Sequence, residues 1–246
     1  MRTFDGHSSI RYSRTRPMYP AELYYWLSKQ VANPGVVWDC ACGTGQASVD
    51  LAAYFNQVEA SDISESQVHS AAHHRRVNYR ICPAEKTDYP DNYFDVVVVA
   101  HALHWFDLET FWRELHRVLK PGGLFACWGY NWLQVGEAED KVISETVLSE
   151  LTDYWPAQSR LLWEQYNDIE FPFPLMQVPD FELKCHWSVT QTIDFIRTWS
   201  ASQLRIQESG DEFLLNASPL IREAWSTPNK KQDIQLPFFL KAGRFD

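Results

Sequence analysis

Two carboxylates, two glycines and two histidines stand where a ligand's polar groups could be met. Asp39 closes a short apolar run, 36–38, that reads as a buried parallel strand. Gly43 and Gly45 follow in a turn, after which Ala47, Leu51 and Phe55 recur at i, i+4 and i+8, one face of a helix. A strand, a glycine turn and a helix in that order bring backbone N–H groups against a nucleotide-like ligand. Asp62 ends a second apolar-edged segment, 58–61, in a position that suits a ribose hydroxyl pair. His101 and His104 follow the valine run 96–99, so they fall at the carboxyl end of a central strand, the edge at which open α/β sheets bind ligands.

Two cofactors fit this outline. A nicotinamide dinucleotide expects G-x-G-x-x-G, and here Ser48 stands where the third glycine would be. S-adenosylmethionine carries an amino-acid end and no phosphate. Asp39, ahead of the glycines, would repel a pyrophosphate but accepts charge-assisted hydrogen bonds from an ammonium group. The second cofactor is therefore favoured.

The string Asp39-Cys40-Ala41-Cys42-Gly43-Thr44-Gly45-Gln46 resembles the first motif of class I S-adenosylmethionine-dependent methyltransferases. Ala41 departs from it, since the family usually has glycine there and alanine must accept a turn that glycine adopts more easily. Asp62-Ile63-Ser64 resembles the second acidic motif, although Ser64 to Gln67 is also an S-x-x-Q helix start, so a cap explains Ser64 by itself. Pro83-Ala84-Glu85 and the segment 90–99 are similar to the third and fourth, and 115–124 is similar to the R-V-L-K-P-G-G turn into the fifth strand. The likeness covers 36–130 in the expected order. The strings 12–20 and 100–107 resemble the small-molecule branch that includes trans-aconitate methyltransferase-like proteins, whose members often esterify small carboxylic acids.

This resemblance implies cofactor contacts from Asp39, Ala41, Gly43, Gly45 and Gln46, from Asp62 and Ile63, from Ala84 and Glu85, and from Ala100 and Trp105. Ala84 and Glu85 read equally as a plain surface loop. Trp105 either packs on the cofactor or walls the acceptor pocket. Arg16 has three readings: a clamp on the cofactor's carboxylate, a clamp on an acid substrate, or a solvated arginine. Tyr12, Tyr19, His104 and Trp155 are the candidate acceptor contacts. Trp155, with Trp163 and Phe171, reads equally as the core of a cap.

His101 and His104 are the candidate catalytic residues. Three apart, they suggest two metal ligands, but no third ligand is evident and no metal is expected. A hydrogen-bonded structural histidine is the plain alternative. A carboxylate acceptor is already an anion, so positioning and water exclusion suffice, and the histidines would bind or orient it. A phenol, amine or carbon acid would use one of them as a base.

The elements that must hold these residues follow from periodicity. An arm, 1–20, precedes a helix at 21–29, and strands are expected at 36–39, 58–62, 78–82, 95–100 and 123–129 with helices between them. A helix at 107–119 is expected, with Asp107 as its cap. Residues 131–180, rich in aromatics and prolines, read as a substrate cap. Residues 181–246 are expected to add a strand at 181–189, a helix at 193–200 and a strand at 234–241. The expected fold is a Rossmann-like α/β single domain, with a seven-stranded mostly parallel sheet, helices on both faces and a cap after the fifth strand.

The 246 residues, 45% apolar, suffice for one large core, and a formal net charge of −10 argues against nucleic acid as substrate. Five cysteines without a C-x-x-C pair argue against a disulfide framework or zinc site. With no long apolar run and no leader-like stretch, the expectation is a cytoplasmic protein without membrane attachment, monomeric or homodimeric. The leading expectation is an S-adenosylmethionine-dependent methyltransferase acting on a small-molecule acceptor. A non-catalytic or regulatory module binding the same cofactor is the alternative, and an NAD(P)-dependent oxidoreductase a weaker one.

Overall fold

The computed structural model describes residues 15–225 and 230–245. At its centre β1 (Val36–Cys40) pairs in parallel with β2 (Gln57–Asp62) on one side and β4 (Phe94–Ala100) on the other. Beyond β2 lies β3 (Val77–Ile81), and beyond β4 lies β5 (Leu119–Tyr130), both parallel. The antiparallel β8 (Phe238–Arg244) closes the sheet in the order β3-β2-β1-β4-β5-β8.

Alternation along the strands divides the core. Val37, Val96 and Val98 face α1 (Ala21–Lys29) and α2 (Gln46–Leu51), meeting Leu23, Leu27 and Leu51. Trp38, Val97 and Val99 face the other way and meet Phe111, Leu115 and Val118 of α4 (Leu108–Val118). Each of these fully buried side chains is worth roughly 1.5–3 kcal/mol of transfer free energy. Asp107 caps α4 as expected, its side chain accepting from the Thr110 N–H. The short α3 (Glu65–His69) follows β2. Ser64 precedes it but makes no side-chain cap; its backbone N–H donates instead to Asp62 Oδ1 at 2.8 Å.

The main sheet has six strands, not seven. The expected strand at 181–189 forms β6 (Leu183–Trp187), which pairs with β7 (Gln232–Leu236) in a separate antiparallel ribbon. The expected strand at 234–241 is broken at Pro237, so β7 stays with the ribbon while β8 crosses to the main sheet. Proline has no N–H to give to a ladder and suits such a corner. Its carbonyl still accepts from the Asn131 N–H at 2.9 Å, holding the corner to the end of β5.

After β5 the chain continues into a group of helices, where a cap is expected. α5 (Glu137–Ile143) runs through a π-helical stretch, Ser144–Leu148, into a last turn, Ser149–Leu151. α6 (Ser159–Trp163) follows. α7 (Val189–Arg197) carries a Ser188–Gln191 capping box. α8 (Ser200–Ser209) and α9 (Glu212–Ala224) complete the helices. α5 with its continuation and α7 to α9 share a third buried cluster that includes Val147, Phe195, Phe213 and Trp225 with Tyr130 of β5, whereas Leu162 of α6 packs in the cluster around Trp38. Among the described residues no helix is long and apolar enough to cross a membrane.

Candidate active site

The carboxyl ends of β1 and β2 bring the first set of candidate residues together. Asp39 lies two residues beyond Val37 and shares its face, so it points toward α2 and is fully buried. Ser48 Oγ donates to Asp39 Oδ2 at 2.5 Å, and Asp39 Oδ1 has no hydrogen-bond partner. Burial raises the Asp39 pKa to about 7; the Ser48 hydroxyl pulls it down and the nearby Asp62 charge pushes it further up. A buried carboxylate oxygen without a donor is costly, and an ammonium group is the partner that offsets it most fully.

The turn between Asp39 and α2 depends on left-handed backbone. Ala41 (φ 58°), Gly43 (φ 56°) and Gly45 (φ 77°) all lie there. A Cβ on Gly45 would run into the Tyr79 hydroxyl and ring, so any other residue must displace that side chain as well as accept the left-handed backbone. Asp62 binds the turn from β2: its Oδ2 accepts the Gly43 N–H at 2.9 Å while its Oδ1 takes the Ser64 N–H. Burial raises the Asp62 pKa against these two donations. Each carboxylate oxygen retains a lone pair, enough to accept from a hydroxyl pair. The Gln46 side chain donates to the Pro17 carbonyl at 2.5 Å and so ties the N-terminal segment over the turn.

Around this turn lie apolar side chains that a buried core would normally hide. Ile63 is 51% exposed, Trp105 42% and Met18 60%. Ile63 follows β2 directly, and Trp105 ends the short helical turn Leu103–Trp105 after β4, both on the carboxyl edge of the sheet. Ala84 is buried, and Glu85 Oε1 accepts the Asp107 N–H at 3.0 Å, joining the loop after β3 to the loop after β4. Ala100 is the last residue of β4. A carboxylate with an unmet oxygen, a second carboxylate one strand away and exposed apolar side chains along the same edge of the sheet fit the ammonium, ribose and adenine of S-adenosylmethionine.

The second set gathers past the ends of β4 and β5. His101 sits in left-handed backbone (φ 59°), with its N–H donating to the Trp128 carbonyl at 2.7 Å. Its ring stacks on Tyr130, centroids 4.2 Å apart, and its Nδ1 accepts the Tyr130 backbone N–H at 3.4 Å. That donation favours the neutral tautomer with the proton on Nε2. Burial, then Arg16 and His104, hold its pKa well below the usual imidazole range. Arg16 donates to the Tyr130 hydroxyl at 2.8 Å and to the Thr198 carbonyl at 3.2 Å, so it is neither solvated nor loose. Tyr19 packs edge-on against Trp128, centroids 5.6 Å apart, and against Tyr130.

His104 and Trp155 are held by other side chains, although the His104 ring stays 6.2 Å from that of His101. His104, 5% exposed, shares a 3.0 Å hydrogen bond between Nδ1 and the Tyr166 hydroxyl, and burial brings its pKa down to about 4. Trp155 lies among the indoles of Trp132, Trp163 and Trp199. Tyr12 falls outside the described residues. The sequence alone presents Ser48 only as a stand-in for a glycine and gives Tyr130 no role. The first holds Asp39 and the second holds His101, and neither contact carries a local signal, because each partner comes from another element.

Comparison with known proteins agrees with this geometry. The family described as a methyltransferase domain matches residues 38–127, from β1 through β5. A solved structure of a proposed type II methyltransferase from Anaeromyxobacter dehalogenans is 37% identical, with a TM-score of 0.84, over 93% of this chain and 97% of that one. A proposed methyltransferase of Dictyostelium discoideum is 28% identical over 242 residues, 96% of this chain and 92% of its own length. A yeast protein, from Saccharomyces cerevisiae, assigned as an S-adenosylmethionine-dependent methyltransferase is 24% identical across 78% of each chain.

Proposed function

The chain belongs to the class I S-adenosylmethionine-dependent methyltransferases, and from that premise we propose that it methylates the carboxylate of a small organic acid. The observation that carries the acceptor class is His101. Its Nδ1 is occupied by the Tyr130 N–H, so it offers the acceptor a donor at Nε2 rather than a base. The Arg16 guanidinium, bound to the Tyr130 hydroxyl, adds positive charge on the same side. A donor and a cation without a base suit an acceptor that is already an anion. The likeness of segments 12–20 and 100–107 to trans-aconitate methyltransferase-like proteins supports the same class.

In this reading Asp39 Oδ1 holds the cofactor's ammonium, Asp62 its ribose, and Ile63, Ala84 and Glu85 its adenine. S-adenosylmethionine, when bound, supplies an electrophilic methyl group: a carboxylate lone pair forms the new O–C bond as the C–S bond breaks and its electron pair passes to sulfur. No proton moves. The chain contributes by alignment and by exclusion of water. His101 orients the acceptor oxygen, Tyr19 and Trp105 wall its approach, and His104 supports the turn from behind through Tyr166. The net charge of −10 favours a small-molecule acceptor over nucleic acid, and five free cysteines favour a cytoplasmic setting.

The test is methyl transfer to a panel of acids, phenols and amines by wild type, His101→Gln and His101→Ala. Acids should be the accepted class, with activity largely kept in His101→Gln, which retains a donor near Nε2, and lost about tenfold or more in His101→Ala. Preference for phenols or amines, with a rise in rate through neutral pH and no rescue by glutamine, would replace this reading by base catalysis.

A further inference from the structure

Four tryptophans from four separate places in the sequence meet in the cap. The Trp132 ring centroid lies 5.0 Å from Trp155, 5.5 Å from Trp163 and 5.5 Å from Trp199. Trp155 closes the group at 5.5 Å from Trp163 and 6.0 Å from Trp199. Trp199 is 7% exposed, but Trp132, Trp155 and Trp163 are only half-buried. Large apolar rings left partly open in a concave region mark a place for a ligand.

The cluster connects to the acceptor end of the site. Tyr130, stacked on His101, lies 6.3 Å from Phe195, and Phe195 lies 6.0 Å from Trp199. Rings therefore run without interruption from His101 to the indoles. The cap is also fixed there: Asn131, next to Tyr130, donates from Nδ2 to the Trp163 carbonyl at 3.1 Å. Trp132 and Trp199 form one wall of a cavity of about 180 Å³, and Ile143 and Leu148 form another. Leu148 ends the π-helical stretch of the cap helix, a distortion often found at functional sites. An apolar cavity of roughly 150 Å³ is known to hold benzene, so this one has room for a single aromatic ring.

One charged group lines the cavity. Asp140 Oδ1 accepts the Val135 N–H at 2.9 Å, and the side chain is held there as a fixed carboxylate. A second or third carboxylate on an acceptor body would meet it as a like charge.

We infer that the tryptophan cluster and its cavity are the subsite for the acceptor's body, and that the preferred acceptors are monocarboxylic acids bearing an aromatic ring rather than compact polycarboxylic acids. The inference rests on the carboxylate reading above. The indoles take the ring by stacking and apolar contact, His101 and Arg16 meet the head group, and Asp140 rejects further negative charge.

The experiment uses the full chain with S-adenosylhomocysteine bound and cinnamate as probe, read by quenching of tryptophan fluorescence, with methyl transfer measured in parallel. Wild type should show saturable quenching by cinnamate and none by a compact tricarboxylate, and should favour cinnamate in kcat/KM by about a hundredfold. Trp132→Ala, at the cavity wall, should raise the KM for cinnamate about tenfold with S-adenosylhomocysteine affinity unchanged, which also reports that the variant folds. Asp140→Asn should narrow the discrimination against the tricarboxylate. Transfer to short or multiply charged acids without cinnamate quenching would overturn the subsite and leave the carboxylate reading intact. Quenching with no transfer to any acid would uphold the subsite and overturn the carboxylate reading.

Discussion

The Ser48 hydroxyl donates to Asp39 Oδ2 at 2.5 Å and leaves Oδ1 of the same buried carboxylate without a donor. One oxygen is thus satisfied by α2, and the other is the one the proposed function gives to the cofactor's ammonium. The protein carries this as a cost: an acid that wants a proton in the unliganded fold.

That cost has a sign and a window. The folded pKa of Asp39, about 7, lies above the ordinary 3.8, so the folded state holds the proton more tightly and stability from this group falls as pH rises from 4 to 7. Asp39→Asn should remove the dependence. Chemical denaturation should find the variant more stable than wild type at pH 8, with a difference on the order of 4 kcal/mol at most that shrinks toward zero at pH 4. A difference independent of pH would contradict the assignment.

Cofactor binding should release a proton from the same group. An ammonium at Oδ1 favours the charged carboxylate, so about half a proton should leave per S-adenosylhomocysteine bound at pH 7. Titration calorimetry in two buffers of different ionisation enthalpy reads this directly, and Asp39→Asn should abolish it.

Ala41 sits at φ 58°, a conformation that costs a non-glycine residue roughly 1 kcal/mol. Ala41→Gly should raise stability by about 0.5–1 kcal/mol in denaturant melts, the relief of strain outweighing the added chain entropy, with S-adenosylhomocysteine affinity little changed. Gly45→Ala is the opposite case. Its new Cβ would collide with Tyr79, and the loss should show as at least tenfold weaker S-adenosylhomocysteine binding.

Much of this was legible before any coordinates. The valine run 96–99, the apolar stop at Asp39 and the glycines Gly43 and Gly45 are local signals, and they place the sheet edge and the turn correctly. The six-stranded outcome was hidden because Pro237 interrupts an otherwise continuous apolar pattern, and whether a chain bends or ends at such a proline is settled by what pairs on each side. Ser48, Tyr130 and the four indoles were hidden for a related reason: each meets partners from other elements, and nothing in a short window encodes that meeting. Trp155 could be read as pocket or as core, and its three indole neighbours were not in view.

His104 illustrates a residue whose surroundings carry its meaning. Its folded pKa of about 4 lies below the ordinary 6.5, so the stability it contributes is present above 6.5 and is lost as pH falls toward 4. His104→Phe should remove the imidazole partner of the buried Tyr166 hydroxyl and cost about 1–3 kcal/mol at pH 8. The deficit should shrink as pH falls through the window, because wild type alone takes the protonation penalty. Thermal or denaturant unfolding at pH 8 and pH 5 measures it, and a deficit that grows in acid would contradict the assignment.

The most direct test of the central claim is the chemical form of the transferred methyl group. Purified protein is incubated with methyl-labelled S-adenosylmethionine and a panel of small acids, phenols and amines, and the product is treated with mild alkali. A carboxylate acceptor predicts label that depends on an added acid and is released as methanol by alkali, the behaviour of a methyl ester. Label that survives alkali on a phenol or an amine would contradict it and return His101 to the role of a base.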